Sequence, residues 1–344
     1  MKKISVILFC TFLGSIRLFA QDFTFSQFYE SPLLRNPALA GIMHGDIRIV
    51  GAERSQWGAV TVPFETQALS VELRIPIGRT KDFITTSAQI TNDVAGDSKL
   101  GRLQILPAIT YSKSLNNIYD ETTSFLNFSI MGGLVQSQFD PSKLVFNDQY
   151  VQYGQPLPVS PTAAFNKTSI AYGDLSSGIS FCSNNSGIMK YYIGIAGFHL
   201  IRSKVGFYNN DNILLKPRYV VNGGFNMRTG DADRFYVYAD YNLQGGNRQF
   251  LLGVLYKKNI GGYDDDDDEP KTTSLTFGGT YRWGDAFIPN VKFIKNKIFI
   301  GTSYDINLSK LKTASQLRGG LEFSAGFISN LNMFANPGVA CPDF

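Results

Sequence analysis

The sequence is short of the residues from which most active sites are built. Two histidines, His44 and His199, and three cysteines are spread over 344 residues. Neither histidine has a cysteine or carboxylate nearby at metal-ligand spacing. HExxH, phosphate-loop and nucleophile-elbow patterns are missing as well. No metal, cofactor or catalytic residue is therefore expected, and the chain is not read as an enzyme. The net charge is only +4, with no clustered basic face, which argues against nucleic acid as a partner. Long apolar runs are lacking too. No stretch approaches the ~18–20 apolar residues of a transmembrane helix.

What is present first is a secretory signal. Lys2 and Lys3 precede an apolar run over 4–12, and Leu18-Phe19-Ala20 offers a cleavage site before Gln21. The apolar run is too short to span a bilayer. The signal takes Cys10 with it, leaving Cys182 and Cys341, too few for a disulfide framework. An oxidising compartment would permit a single bridge between them.

The rest of the chain is rich in glycine (33), phenylalanine (27) and tyrosine (17), and it alternates. In 298–306, Ile298, Ile300, Tyr304 and Ile306 share one parity, and Gly301, Ser303 and Asp305 the other. Leu321, Phe323, Ala325 and Phe327 alternate with Glu322, Ser324 and Gly326 in the same way. A period of two means strands with one face in an apolar medium. The same reading marks 46–53, a strand around Leu69 to Ile75 with Ser70, Glu72 and Arg74 opposed, then 82–91, 102–114, 123–135, 172–182 and 189–200. It continues through 216–229, 234–241, 250–257, 273–283, 287–294, 297–306 and 316–327. Arg54-Ser55-Gln56-Trp57 falls between the first two strands, with a proline-containing loop.

That is about fourteen strands, an even number, most near the ~9–11 residues of a tilted membrane strand. Soluble sandwich strands typically have ~5–6 residues. The expected fold is all-β: an antiparallel transmembrane β-barrel of the outer membrane, its charged strand faces turned to the lumen. The irregular stretch 136–171, with four prolines, suits a long loop on the outer face.

One segment does not alternate. Residues 22–41 carry Phe28, Tyr29, Leu33 and Leu34, which need burial, while Pro32 and Pro37 rule out a membrane strand. The expected organisation is a signal peptide over 1–20, a plug or cap over 21–45 in or under the lumen, a barrel over 46–328 and a periplasmic tail over 329–344.

Several segments resemble one family. After the signal come Phe25, Ser26, Gln27, Pro32, Asn36, Pro37, Ala38 and Gly41. Arg54, Ser55, Gln56 and Trp57 follow, with Pro63 and Thr66 downstream. Tyr281 to Ala286, Ser303 to Asn307, Arg318 to Glu322 and the terminal Cys341-Pro342-Asp343-Phe344 complete an ordered series. The series is similar to the PorP/SprF outer-membrane proteins of the type IX secretion system of Bacteroidetes. The stretch 136–171 departs from it, and the run from Asp264 to Glu269 looks like an insertion. The resemblance implies a barrel working with secretion machinery to export adhesin-like clients or hold them at the cell surface, in some members for gliding motility. Its partners would be machinery components, a client and outer-membrane lipid. A passive porin or FadL-like uptake channel is the alternative, and a purely structural surface anchor a third reading.

The candidate partner-binding or lumen residues are Phe25, Gln27, Asn36, Pro37, Arg54, Gln56, Trp57, Glu72, Asp305 and Glu322. Arg54, Gln56 and Trp57 form a cluster near the outer mouth, or Arg54 pairs with a lumen acid such as Glu72 or Glu322 while Trp57 anchors at the interface. Cys182 and Cys341 are a possible disulfide. The acidic run could bind calcium but lacks the ligand spacing, and reads as a solvated turn on the periplasmic side.

Overall fold

The computed structural model describes residues 22–331 apart from 79–80, 117–121, 145–164, 166, 186–187, 208–212, 231–232, 262–272 and 311. The acidic run, Cys341 and most of the loop stretch lie outside the described residues.

Fourteen antiparallel strands form a closed barrel. They are β1 (Ile47–Gln56), β2 (Phe64–Pro76), β3 (Phe83–Ala95), β4 (Leu100–Ser114), β5 (Thr123–Gln138), β6 (Ser169–Asn185) and β7 (Met189–Phe198). The second half comprises β8 (Arg218–Arg228), β9 (Arg234–Gln244), β10 (Asn247–Asn259), β11 (Thr273–Arg282), β12 (Ala286–Lys295), β13 (Ile298–Asn307) and β14 (Arg318–Ser329). Each strand pairs with its sequence neighbours, and β1 closes on β14 with Ile47 opposite Ser329 and Arg54 opposite Glu322. Closure leaves no strand edge unpaired, which is what lets a sheet sit in lipid.

Alternation divides the wall as expected. Ile109, Ile130, Leu134, Ile193, Ile195 and Ile300 are 58% or more exposed, while their inward neighbours Thr110, Ser129 and Ser303 are at most 3% exposed. An outward apolar belt over a polar inner face is the arrangement of a membrane barrel. Among the described residues no helix is long and apolar enough to cross a membrane.

One boundary differs from the alternation-based expectation. Arg54, Ser55 and Gln56 belong to β1 rather than to a connecting loop. The run Glu53-Arg54-Ser55-Gln56 is polar on both parities because this end of the strand leaves the hydrocarbon, so alternation fades while the hydrogen-bond ladder continues.

The two ends are unequal. At the end where β1 begins and β14 finishes, here the terminal end, connections such as 229–233 and 296–297 are short, with 260–272 the exception. At the far end, 139–168 and 199–217 are the long ones. Two terminal-end turns are clamped alike. Asp233 accepts from Tyr256 Oη (2.9 Å), Lys258 Nζ (2.7 Å) and the Asn259 backbone N–H (2.9 Å). Asp82 accepts in the same way from Tyr111, Lys113 and the Ser114 N–H, at 3.1, 2.8 and 2.9 Å. The Lys258 hydrogen bond, then those of Asn259 and Tyr256, hold the Asp233 carboxyl down to about 2.

Candidate functional site in the lumen

The chain from Asp22 to Asp46 runs through the barrel, from the far end to the terminal end. It turns through two 3-10 turns, Phe28–Glu30 and Pro37–Leu39, and a one-turn helix, Pro32–Arg35. Pro32 and Pro37 each start a turn, where a missing N–H costs nothing. Phe28, Leu39 and Ile42 pack against wall residues Phe83, Phe125, Tyr192, Tyr238, Leu251 and Leu255.

The plug is pinned at successive levels by charge. Nearest the far end, Asp22 accepts from Arg102 Nη1 at 2.8 Å and lies 3.7 Å from Arg218 Nε. His199, just beyond β7, bridges Asp22 and Asp174 through Nε2 (2.6 Å) and Nδ1 (2.8 Å). An imidazole between two carboxylates donates from both nitrogens only when protonated. Burial works to lower the His199 pKa, but Asp22 and Asp174 outweigh it and raise it. Burial likewise works to raise Asp22, while His199, Arg102 and Arg218 hold it well below the usual carboxylate range.

This latch has a pH signature. Folding raises the His199 pKa, so its contribution is complete below about pH 6.5 and is lost as pH rises through the folded value. Asp22 contributes fully above about pH 3.9 and fades only in acid. Hydrogen exchange of 22–27, corrected for its intrinsic pH dependence, is expected to lose protection as pH rises above about 6.5. In His199→Gln that loss should vanish. A protection profile identical in both proteins would remove His199 from the latch.

The next level is a network built on four charged residues, Arg54, Arg282, Asp305 and Glu322. Glu322 accepts the backbone N–H groups of Ser26 (2.5 Å) and Gln27 (2.7 Å). Asp305 accepts from Ser26 Oγ at 2.5 Å and pairs with Arg54 (2.6 Å) and Arg282 (3.0 Å). Arg54 Nε is 3.8 Å from Glu322, Arg54 also donates to the Thr24 carbonyl, and Ser324 Oγ donates to Gln27. The Gln56 side-chain amide lies against the Arg54 guanidinium.

In mid-lumen, Arg35 forms a two-pronged pair with Asp240, at 2.5 and 2.7 Å, inside an aromatic cage. The rings of Phe28, Tyr192 and Tyr238 lie 4.9, 5.5 and 5.9 Å from the guanidinium carbon. Asn36 follows. Its Nδ2 donates to the carbonyls of Ile179 and Ile195, both at 3.3 Å, and its Oδ1 caps Ala38 N–H at 2.9 Å. Glycine is required where it touches the wall: a Cβ at Gly178 would lie 2.0 Å from Asn36 Oδ1, and one at Gly194 2.6 Å from Nδ2. Toward the terminal end Glu72 accepts from Gly41 N–H (3.0 Å) and pairs with Arg48 (2.8 Å).

Against this geometry stand the comparisons. The family model for type IX secretion system membrane protein PorP/SprF matches residues 18–327. The chain belongs to this family. Membership brings association with the type IX secretion machinery, and the outer-membrane barrel fits it. No match was found among curated proteins. Among solved structures, the Ralstonia pickettii toluene transporter TbuX is similar at 8% identity, covering 86% of this chain and 92% of its own, with a TM-score of 0.47. A FadL homologue of Pseudomonas aeruginosa aligns at 9% identity over 87% and 94%, with a TM-score of 0.41. Likenesses this distant say nothing of function.

In this PorP/SprF barrel the signature residues meet in the lumen. Gln27, Asn36 and Pro37 sit in the plug, and Phe25, 3% exposed, packs edge-on to Phe23 at 6.0 Å. Arg54, Asp305 and Glu322 converge on it from β1, β13 and β14. Glu72 is not the partner of Arg54; it serves Arg48. Trp57 stands apart at the far rim, packed on Phe64 at 4.9 Å. Cys182 lies in the core beneath the plug, its sulfur accepting from Asn127 at 3.6 Å. Sequence reading gave Ser26 and Arg282 only as signature positions without a role, and missed Arg35, Asp240 and the Asp22–His199–Asp174 latch. Their partners are 23 to 279 residues away in the chain, and no spacing rule connects them.

Proposed function

We propose that this protein is a plugged, non-enzymatic barrel that supports export or surface attachment of adhesin-like clients of the type IX machinery. The observation that carries the reading is the plug itself. A segment holding the family signature is pinned along the lumen by buried ion pairs, which suits a binding and docking role better than free solute passage. The far end, with its long connections, faces the cell surface in this reading, and the terminal end the periplasm. The signal peptide is cleaved near Ala20, and the apolar belt meets outer-membrane lipid. Gliding motility is the cellular process such a client would serve.

Deleting the gene and comparing surface, medium and cell proteomes tests the role. One adhesin-like protein is expected to leave the surface. Its retention in cells marks export as the lost step, and its appearance in the medium marks attachment. An unchanged distribution of every exported protein would sink the proposal.

A further inference from the structure

At the terminal end the lumen wall carries a row of cations. Arg234 of β9 stands opposite Lys257 of β10, Lys257 opposite Thr276 of β11, and Thr276 opposite Lys292 of β12. All four share the parity of inward residues: Tyr238 and Asp240 on β9, Leu255 on β10, Thr280 on β11, Asn290 on β12. Arg234, Lys257 and Lys292 are half-buried, and Arg234 donates to Asn226 Oδ1 at 3.0 Å. Lys257 lies within electrostatic reach of both other cations, and it has no carboxylate at ion-pair distance among the described residues. The plug neutralises part of this patch, through Glu30 on Lys292 at 2.5 Å. Lys190, Arg74 and Lys257 all act on His44 at the plug's exit, where Asp46 engages Arg74 at 3.2 Å.

Like charges placed directly opposite across a ladder destabilise a sheet. Their retention in a half-dry lumen calls for an anion. A second observation points the same way. Ser274 and Thr276, 1% and 4% exposed, have hydroxyls with no hydrogen-bond partner, and so does the Asn259 side-chain oxygen opposite Ser274. Three strand intervals separate Arg234 from Lys292, about 14 Å. One phosphate cannot cover that distance. An extended peptide, with same-face side chains about 6.7 Å apart, can. The Asn259 oxygen needs a donor, which a polyphosphate lacks and a peptide N–H supplies.

We propose that this end of the lumen is a docking groove for an acidic polypeptide segment. Its carboxylates meet Arg234, Lys257 and Lys292, and its backbone and side chains satisfy Asn259, Ser274 and Thr276. That the polyanion is a protein partner rests on the secretion reading; the charge and the unmet hydrogen bonds do not.

The test is binding of a fluorescent glutamate-rich peptide to the full barrel in nanodiscs, followed by anisotropy, with a glutamine-rich peptide of equal length as control. Binding is expected for the acidic peptide alone, weakening with salt. An Arg234→Gln, Lys257→Gln variant should bind at least about tenfold more weakly. Lys295→Gln, on the outer face at the same end, should bind as the parent does. Heat-modifiable gel migration checks that each variant is folded. Equal loss in Lys295→Gln, or no binding by the parent, overturns the groove. Binding that emerges only after the run from Asp264 to Glu269 is changed to serine also overturns it, since the chain would then be its own occupant. Peptide binding is measured without cells, so it can fail while the gene-deletion result stands, and the converse.

Discussion

Asp305→Ala is expected to cost about 3–5 kcal/mol of barrel stability, the range for removing one partner from a buried ion pair. Asp305 is 2% exposed and is the anion shared by two guanidiniums, those of Arg54 and Arg282. Without it both cations stay in the lumen with Glu322 3.8 Å from Arg54 and Asp285 2.9 Å from Arg282 as the remaining acids. Ser26 loses its acceptor at the same time. Chemical denaturation of the protein refolded in vesicles measures the change. Adding Arg282→Leu to Asp305→Ala should recover part of the loss, because it removes a stranded charge, and the double-mutant cycle reads that coupling directly. A cost below about 1 kcal/mol would mean that water reaches the network and screens it as at a surface. Mutating the clamped turns should do far less: Lys258, its side chain 58% exposed, pairs with Asp233 in solvent.

The contrast between those two sites tracks what the sequence exposes to a reader. β13 and β14 are legible because lipid demands an apolar residue at every second position, and Ile298, Ile300, Phe323 and Phe327 record that demand one by one. The plug is legible as a non-strand segment for the opposite reason: Pro32 and Pro37 forbid the ladder while Phe28 and Leu33 require burial. What the pattern cannot carry is pairing across the lumen. Arg54 had two lumen acids within reason, and only closure of β1 on β14 puts Glu322 directly opposite it. The Arg35–Asp240 pair joins residues 205 positions apart, and each alone reads as an ordinary polar residue. Gly178 and Gly194 look like two more glycines in a glycine-rich chain until Asn36 is found against them.

Removing the plug should change the barrel from closed to conducting. Small eight-stranded barrels fill their interior with side chains, and barrels of sixteen to eighteen strands leave a channel. Fourteen strands lie between, and here the space is taken by a chain folded into helical turns. Deleting 22–41 would uncover the carboxylates of Glu72, Asp240, Asp305 and Glu322 and the guanidiniums of Arg48, Arg54 and Arg282 along one water-filled path. Planar-bilayer recordings are expected to show a silent parent and stable open steps in the deletion, reduced in cation or anion preference because both charges line the wall. Gly178→Leu offers a version with the plug retained: its side chain would occupy the place of Asn36 and lift the plug from β6 and β7, giving intermittent openings. Equal, steady conductance from the parent and the deletion would show that the plug does not seal the lumen, and the uptake-channel reading would then displace the docking one. A silent deletion that still migrates as a folded barrel would instead place the seal in the wall and its loops, leaving the plug as an anchor for the strands around it.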